Sequence, residues 1–213
     1  MNIVDNFIKI REDLKPISNF TEIIAVSKKF SLDFIKPLID FGHTHYGENR
    51  VKEAVEKWSS ILKINANLKI HLVGTLQSNK VTEVFKVFSF IHSLDNSHLA
   101  KKLHDEEIKQ NKKLKYFIQV NLAGEEQKSG ISLEKFEDFF LYCKNTLSLN
   151  VIGLMCIPPI NSNPEVYFNK LKDLANKYSL KELSMGMSND FKQAAKYGST
   201  FVRIGTGIFG ERN

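Results

Sequence analysis

Lys28 closes the apolar run 23–26, where a β-strand leaves a hydrophobic core, whereas most lysines of this chain lie in helical patterns. With a side-chain period of two, Ile24, Val26 and Lys28 share one face of that strand. A lysine partly withdrawn from water has its ammonium form disfavoured and becomes a nucleophile able to form a Schiff base with an aldehyde. The plainer alternative is a lysine snorkelling from a strand end.

A second cluster follows at 184–190. Ser188 reads as the N-cap of a helix, and Gly186 just before it permits close backbone approach. Free N–H groups at a helix N-terminus bind phosphate, and Gly205 and Thr206 come next to this segment at the end of the following strand. A lysine suited to an aldehyde and a cradle suited to a phosphate point to pyridoxal 5'-phosphate. Arg203, two residues before Gly205, shares its strand face. It is either one half of a surface ion pair or a buried cation that needs an acceptor. Facing a pyridine nitrogen, its fixed charge would disfavour protonation there and weaken the ring as an electron sink.

The elements that position these residues alternate between β-rich runs and amphipathic helical stretches at the spacing of βα units. Strands are expected at 22–28, 45–49, 68–75, 88–95, 115–123, 150–158, 182–188 and 201–209. Helices between them are begun by Ser31, Asn96 with Ser97, Ser132 and Ser188 and ended by Gly42 and Gly198, and an extra helix over 4–14 precedes the first strand. Eight strands with interleaved helices predict an α/β fold, a single-domain (β/α)8 TIM barrel over 1–213, whose leading helix covers the place of a terminal one. The active site of such a barrel lies at the C-terminal strand ends, where Lys28, Asn49, Ser184, Ser188, Arg203, Gly205 and Thr206 fall. An open doubly wound sheet is the competing architecture, but the turn after strand one is KKFS rather than glycine-rich. Gly205, Gly207 and Gly210 match G-x-G-x-x-G, yet only three residues follow, too few for a dinucleotide unit.

Composition narrows the partners. The chain has 213 residues, 42% hydrophobic and 25% charged, and its net charge of +6 comes from 30 Lys+Arg against 24 Asp+Glu. Stretches such as 51–57 and 101–107 mix both signs as solvated helix faces do, so nucleic-acid binding is not expected. No apolar run approaches membrane-spanning length, and a cytoplasmic protein without a membrane partner is expected. Cys143 and Cys156 lack metal-ligand spacing and read as buried free thiols. No metal site is expected: His43 and His45 follow Gly42 at a helix end, where an imidazolium suits the dipole, and His71, His92, His98 and His104 form no ligand set with nearby carboxylates. Leu133, Phe136 and Phe140 share a helical face expected to be core.

The segments AVSK (25–28), YGEN (46–49), HLVGTLQSNK (71–80), QVN (119–121) with KSG (128–130), GLM (153–155), LSMGMS (183–188) and GSTFVRIGTGIFG (198–210) resemble, in order and from first strand to last, the pyridoxal phosphate homeostasis protein family, also called the proline synthase co-transcribed homologues. The family is similar in fold to the barrel domain of alanine racemase. The resemblance implies an internal aldimine on Lys28, Arg203 facing the pyridine nitrogen, and Ser188, Gly205 and Thr206 on the phosphate, with Asn49, Ser184 and Gly186 lining the cofactor. It assigns no chemistry to residues 77–80. Arg50 and Thr75 depart from the family's pattern at the expected pocket rim.

Two functions compete. One is a non-catalytic, monomeric carrier that holds pyridoxal phosphate for cellular homeostasis and passes it to apo-enzymes. The other is a racemase-like enzyme, which needs a second acid/base group that alanine racemase takes from a further β-rich domain. The chain ends at Asn213, and that domain is expected to be absent. A Schiff-base aldolase ranks last.

Overall fold

The computed structural model describes residues 2–125 and 127–211; Met1, Arg212 and Asn213, at the ends of the expected domain, lie outside the described residues, as does Glu126. The strands are β1 (Glu22–Val26), β2 (His45–Glu48), β3 (Lys69–Leu72), β4 (Phe88–Leu94), β5 (Lys115–Asn121), β6 (Ile131–Ser132), β7 (Val151–Met155), β8 (Glu182–Ser184) and β9 (Phe201–Ile204). All pair in parallel, in the order β4-β3-β2-β1-β9-β8-β7-β5. Pairing of β4 with β5 closes the ring into a (β/α)8 barrel, and the two-residue β6 adds to the end of β5 outside it.

Around the ring lie α1 (Ile3–Leu14), α2 (Leu32–Asp40), α3 (Val51–Trp58), α4 (Val81–Val84), α5 (Ser97–Gln110), α6 (Leu133–Leu141), α7 (Pro164–Lys177), α8 (Phe191–Lys196) and α9 (Thr206–Phe209). Helix α1 fills the place beside the last strand: Asn6 Nδ2 donates to Ile208 O of α9 at 2.8 Å, and Lys192 of α8 pairs with Asp13 at 2.9 Å. Ser31 and Asn96 cap α2 and α5 by accepting the N–H groups of Phe34 and Leu99.

Each ring strand begins within one residue of its expected start, and each ends earlier. The polar and glycine-bearing residues past those ends leave the ladder and form loops. The largest change is at 205–209, expected as strand: Gly205 ends the ladder and Thr206–Phe209 coil into α9, so the G-x-G-x-x-G match opens a one-turn helix.

Two apolar layers form the core. An outer one between strands and helices includes Trp58, Tyr46, Phe88 and Phe168, and an inner one fills the barrel with Ile24, Val26, Phe90, Phe117, Met155 and Phe201. Ile24 and Val26 thus point inward on β1, as the period of two requires. Three helix-face readings are corrected. The Lys57 side chain is only 7% exposed and Glu107 is buried, because Lys57 pairs with Glu48 and Glu107 accepts from Leu114 N and Tyr116 Oη, both at 2.9 Å. Leu133 is 48% exposed, and Phe139 joins Phe136 and Phe140 in the core instead.

Candidate functional site

At the C-terminal end of the barrel a cavity of about 630 Å³ opens between the loops after β1, β2, β7, β8 and β9. That is within the range of roughly 300–1,000 Å³ usual for small-molecule sites. Lys28, Asn49, Ser188, Arg203, Gly205 and Thr206 all line it. The loop after β7 adds an apolar wall of Ile157, Pro158, Pro159 and Ile160 that no strand-end motif singled out. Arg50 and Thr75, expected at the rim, are exposed and do not line the cavity.

Lys28 sits in a turn just past β1, and its neighbours are tied down on both sides. Ser27 Oγ donates to Glu48 Oε1 at 2.8 Å, Lys57 Nζ donates to Ser27 O and Glu48 Oε1 at 2.9 Å each, and Trp58 Nε1 donates to Glu48 Oε1 at 3.1 Å. The N–H of Lys29, whose φ is +68°, donates to Glu53 Oε1. Side chains of α3 therefore fix the backbone that carries Lys28. The sequence signal was present in the spacing of Glu53 and Lys57, four apart on one helix face, but not the destination of that face.

Arg203 is 5% exposed. Its Nη1 donates to Ser184 O at 2.6 Å and Ser184 Oγ at 2.7 Å, and its Nη2 donates to Cys156 O at 3.0 Å. Among the described residues no carboxylate lies within ion-pair distance of it, so the surface ion-pair reading is excluded. Burial lowers its pKa from the ordinary arginine value, opposed by Cys156 and Asp190. The result is a buried cation held by neutral oxygens and facing the cavity.

Ser184 is fully buried and reaches the cavity only through Arg203. Gly186 does not line it either. At φ +90° it lets α8 approach, since a Cβ there would lie 2.5 Å from Ala194 Cβ, so the close approach expected at this glycine is to a helix. Ser188 is likewise not the cap of α8, which opens at Phe191 behind Asp190. Instead Ser188 Oγ accepts from Gly207 N and Thr206 Oγ1, both at 3.2 Å, at the start of α9. The hydroxyls of Ser188 and Thr206 are thereby gathered beside Gly205 on one wall of the cavity.

Behind Arg203 runs a row of imidazoles that no ligand spacing in the sequence marks. His92 Nδ1 meets Ser184 Oγ at 2.8 Å, His92 Nε2 meets His71 Nδ1 at 2.9 Å, and His71 Nε2 meets His45 Nδ1 at 2.9 Å. His71 stacks on Phe90 at 4.2 Å and His92 on Phe117 at 4.3 Å. Burial is the main cause that holds all three neutral. It lowers His45 to about 4, aided by Lys69, and puts His71 and His92 well below the usual range, aided for His92 by Arg203. His43 is also brought down to about 4 by burial, so the imidazolium expected at this helix end is corrected to a neutral ring hydrogen-bonded to His45 O at 2.8 Å. Alternation in the apolar strands 69–72 and 88–94 could have marked His71 and His92 as inward-facing.

Comparison with known proteins places this geometry. The family model described as alanine racemase, N-terminal domain, matches residues 2–213. The chain is 38% identical over 203 residues to the pyridoxal phosphate homeostasis protein of Aquifex aeolicus, covering 91% of this chain and 88% of that one. It is 34% identical over 200 residues to the protein of that name from Escherichia coli K12, covering 90% and 86%. PipY of Synechococcus elongatus PCC7942, solved with PLP bound, superposes with a TM-score of 0.88 at 30% identity, over 98% of this chain and 100% of that one. An alanine racemase of Clostridium difficile 630 shares the fold alone, with a TM-score of 0.76 at 13% identity over 99% of this chain and 57% of that one. Matched by that domain from residue 2 to residue 213 and by those relatives along most of its length, the chain belongs to the pyridoxal phosphate homeostasis protein family.

Proposed function

We propose that this protein is a non-catalytic carrier that holds pyridoxal 5'-phosphate in the cavity at the C-terminal end of the barrel, covalently on Lys28, and supplies it to apo-enzymes. The observation that carries the reading is the buried Arg203, a cation without an acidic partner among the described residues that faces the same cavity as Lys28. Such a group suits an electron-rich ring nitrogen at the cavity floor. Past the end of the same strand, the hydroxyls of Ser188 and Thr206 and the backbone of Gly205 suit a phosphate, and Asn49 suits a ring substituent. Bound there, the cofactor would supply an aldehyde, toward which the Lys28 amine would be the nucleophile.

The carrier reading rests on the relatives' names and on the lining. Among the described residues, the ionisable side chain lining the cavity besides Lys28 and Arg203 is Asp190, whose Oδ1 already accepts the Met187 N–H at 2.6 Å. Among the described residues no tyrosine or histidine lines the cavity to act as a second base. The chain is proposed to act as one domain and as a monomer in the cytoplasm, where its two buried free thiols persist.

Titration of the purified protein with pyridoxal phosphate, followed by visible absorption, borohydride reduction and peptide mapping, tests the reading. A saturable band with the label on Lys28 is the expected result, and a label elsewhere or no band overturns it. Proton exchange into a panel of amino acids in heavy water then separates carrier from racemase: no exchange above the free cofactor is expected.

A further inference from the structure

We propose that His92, backed by His71 and His45, is the positioning group for Arg203, and that these three imidazoles form a hydrogen-bond chain of fixed direction running through the barrel to the cavity floor. The geometry follows from the stagger of the strands. His45 is registered with Lys69, two residues before His71, and His71 is registered with Phe90, two residues before His92. Each step from β2 to β3 to β4 therefore climbs about 6–7 Å along the barrel. From β4 the chain crosses the interior to Ser184 at the end of β8, and there it meets Arg203.

Its direction is set by the end that cannot reverse. A guanidinium has donors only, so Arg203 Nη1 donates to Ser184 Oγ, and the one proton of that hydroxyl goes to its other neighbour, His92 Nδ1. A neutral imidazole accepting at Nδ1 carries its proton on Nε2, which His92 donates to His71 Nδ1. His71 repeats the pattern onto His45 Nδ1. All three rings are thereby Nε2–H tautomers, and the last N–H belongs to His45, the most exposed of the three at 7%. With either end reversed, two N–H groups would face each other or the Ser184 proton would lose its acceptor. Packing alone does not demand this: the rings stack on Phe90 and Phe117 whichever nitrogen is protonated. The consequence for the cavity is that the lone pairs of Ser184 Oγ stay turned to Arg203, which fixes the plane of the guanidinium.

The cavity end of this inference rests on the proposed cofactor; the tautomers do not. Long-range ¹H–¹⁵N spectra of the protein with labelled histidine, without added ligand and near pH 7.5, are expected to show Nε2 protonated and Nδ1 unprotonated in His45, His71 and His92. A protonated Nδ1 on His92 overturns the proposal whatever the protein binds. For the positioning role, His92→Phe keeps the stack on Phe117 and removes the acceptor, and is expected to weaken pyridoxal phosphate binding about tenfold. His92→Asn, which retains an acceptor near the Nδ1 position, is expected to stay within about threefold of wild type. Ser184→Ala should match His92→Phe, and the double variant should lose nothing further, since both act through one hydroxyl. Additive losses overturn the route through Ser184. Failure of the wild-type protein to bind pyridoxal phosphate would remove the proposed function while the spectra still decide the chain.

Discussion

At the scale of single residues, the proposed function gives Lys28 and Arg203 separate tasks, one of reactivity and one of field. Lys28 lines the cavity from a turn, whereas Arg203 is a buried strand residue whose donors end on Ser184 and Cys156. Lys28→Ala is expected to abolish the borohydride-trapped adduct and retain the fold, because bonds of Ser27, Lys29 and α3 hold the turn; an adduct at unchanged stoichiometry would refute the assignment. Arg203→Ala should shift the absorption of bound pyridoxal phosphate and weaken its affinity about tenfold, the worth of a hydrogen bond to a charged group. Unchanged spectra and affinity would remove Arg203 from the cofactor's surroundings. Both residues were legible from the sequence, since a lysine at the end of an apolar run and an arginine inside one are costly unless they have a use. Ser184 was legible only as a neighbour: its place under Arg203 depends on β8 and β9 lying side by side.

Among elements, the link between β1 and α3 decides how firmly the Lys28 turn is held. The side chains of Glu48 and Lys57 are only 0% and 7% exposed, and the Glu48–Lys57 pair also anchors Ser27. Lys57→Met leaves a buried carboxylate without its cation and is expected to cost about 3–5 kcal/mol in chemical denaturation, the usual penalty for breaking such a pair. The double variant Lys57→Met with Glu48→Gln should recover part of it. A loss below about 1 kcal/mol would mean the pair behaves as a surface one. Helix starts were marked locally by Ser31 and Asn96, whereas the local pattern at Ser188 misled: its hydroxyl serves α9, 19 residues further on at Gly207, rather than α8.

For the molecule as a whole, the neutral histidines inside the barrel tie stability to pH. His45 titrates at about 4 when folded, and His71 and His92 lie well below 6.5, so the unfolded chain binds protons that the folded chain refuses. With folded values depressed, stability is complete above about pH 7 and falls as pH drops from 6.5 towards 4. Each ring contributes at most ~1.4 kcal/mol per pH unit, together roughly 4 kcal/mol per unit once the unfolded histidines are charged. Urea midpoints at pH 7.5, 6.0 and 5.0 should decline accordingly. A flat profile over that range would show that the rings are not held neutral.

The sequence by itself determined the barrel, because strand and helix periods are local properties and eight βα repeats admit few closed arrangements. It also determined the residue types gathered at one end, since strand ends of such a barrel converge by construction. Only the tertiary structure decided which of those residues reach the cavity, that Lys57 and Glu107 turn inward, and that three histidines from separate strands join into one chain behind Arg203. Those outcomes depend on register and stagger between strands far apart in the chain. A hydrogen bond between His71 and His92 exists because the barrel's shear aligns them, and no window of sequence contains that alignment.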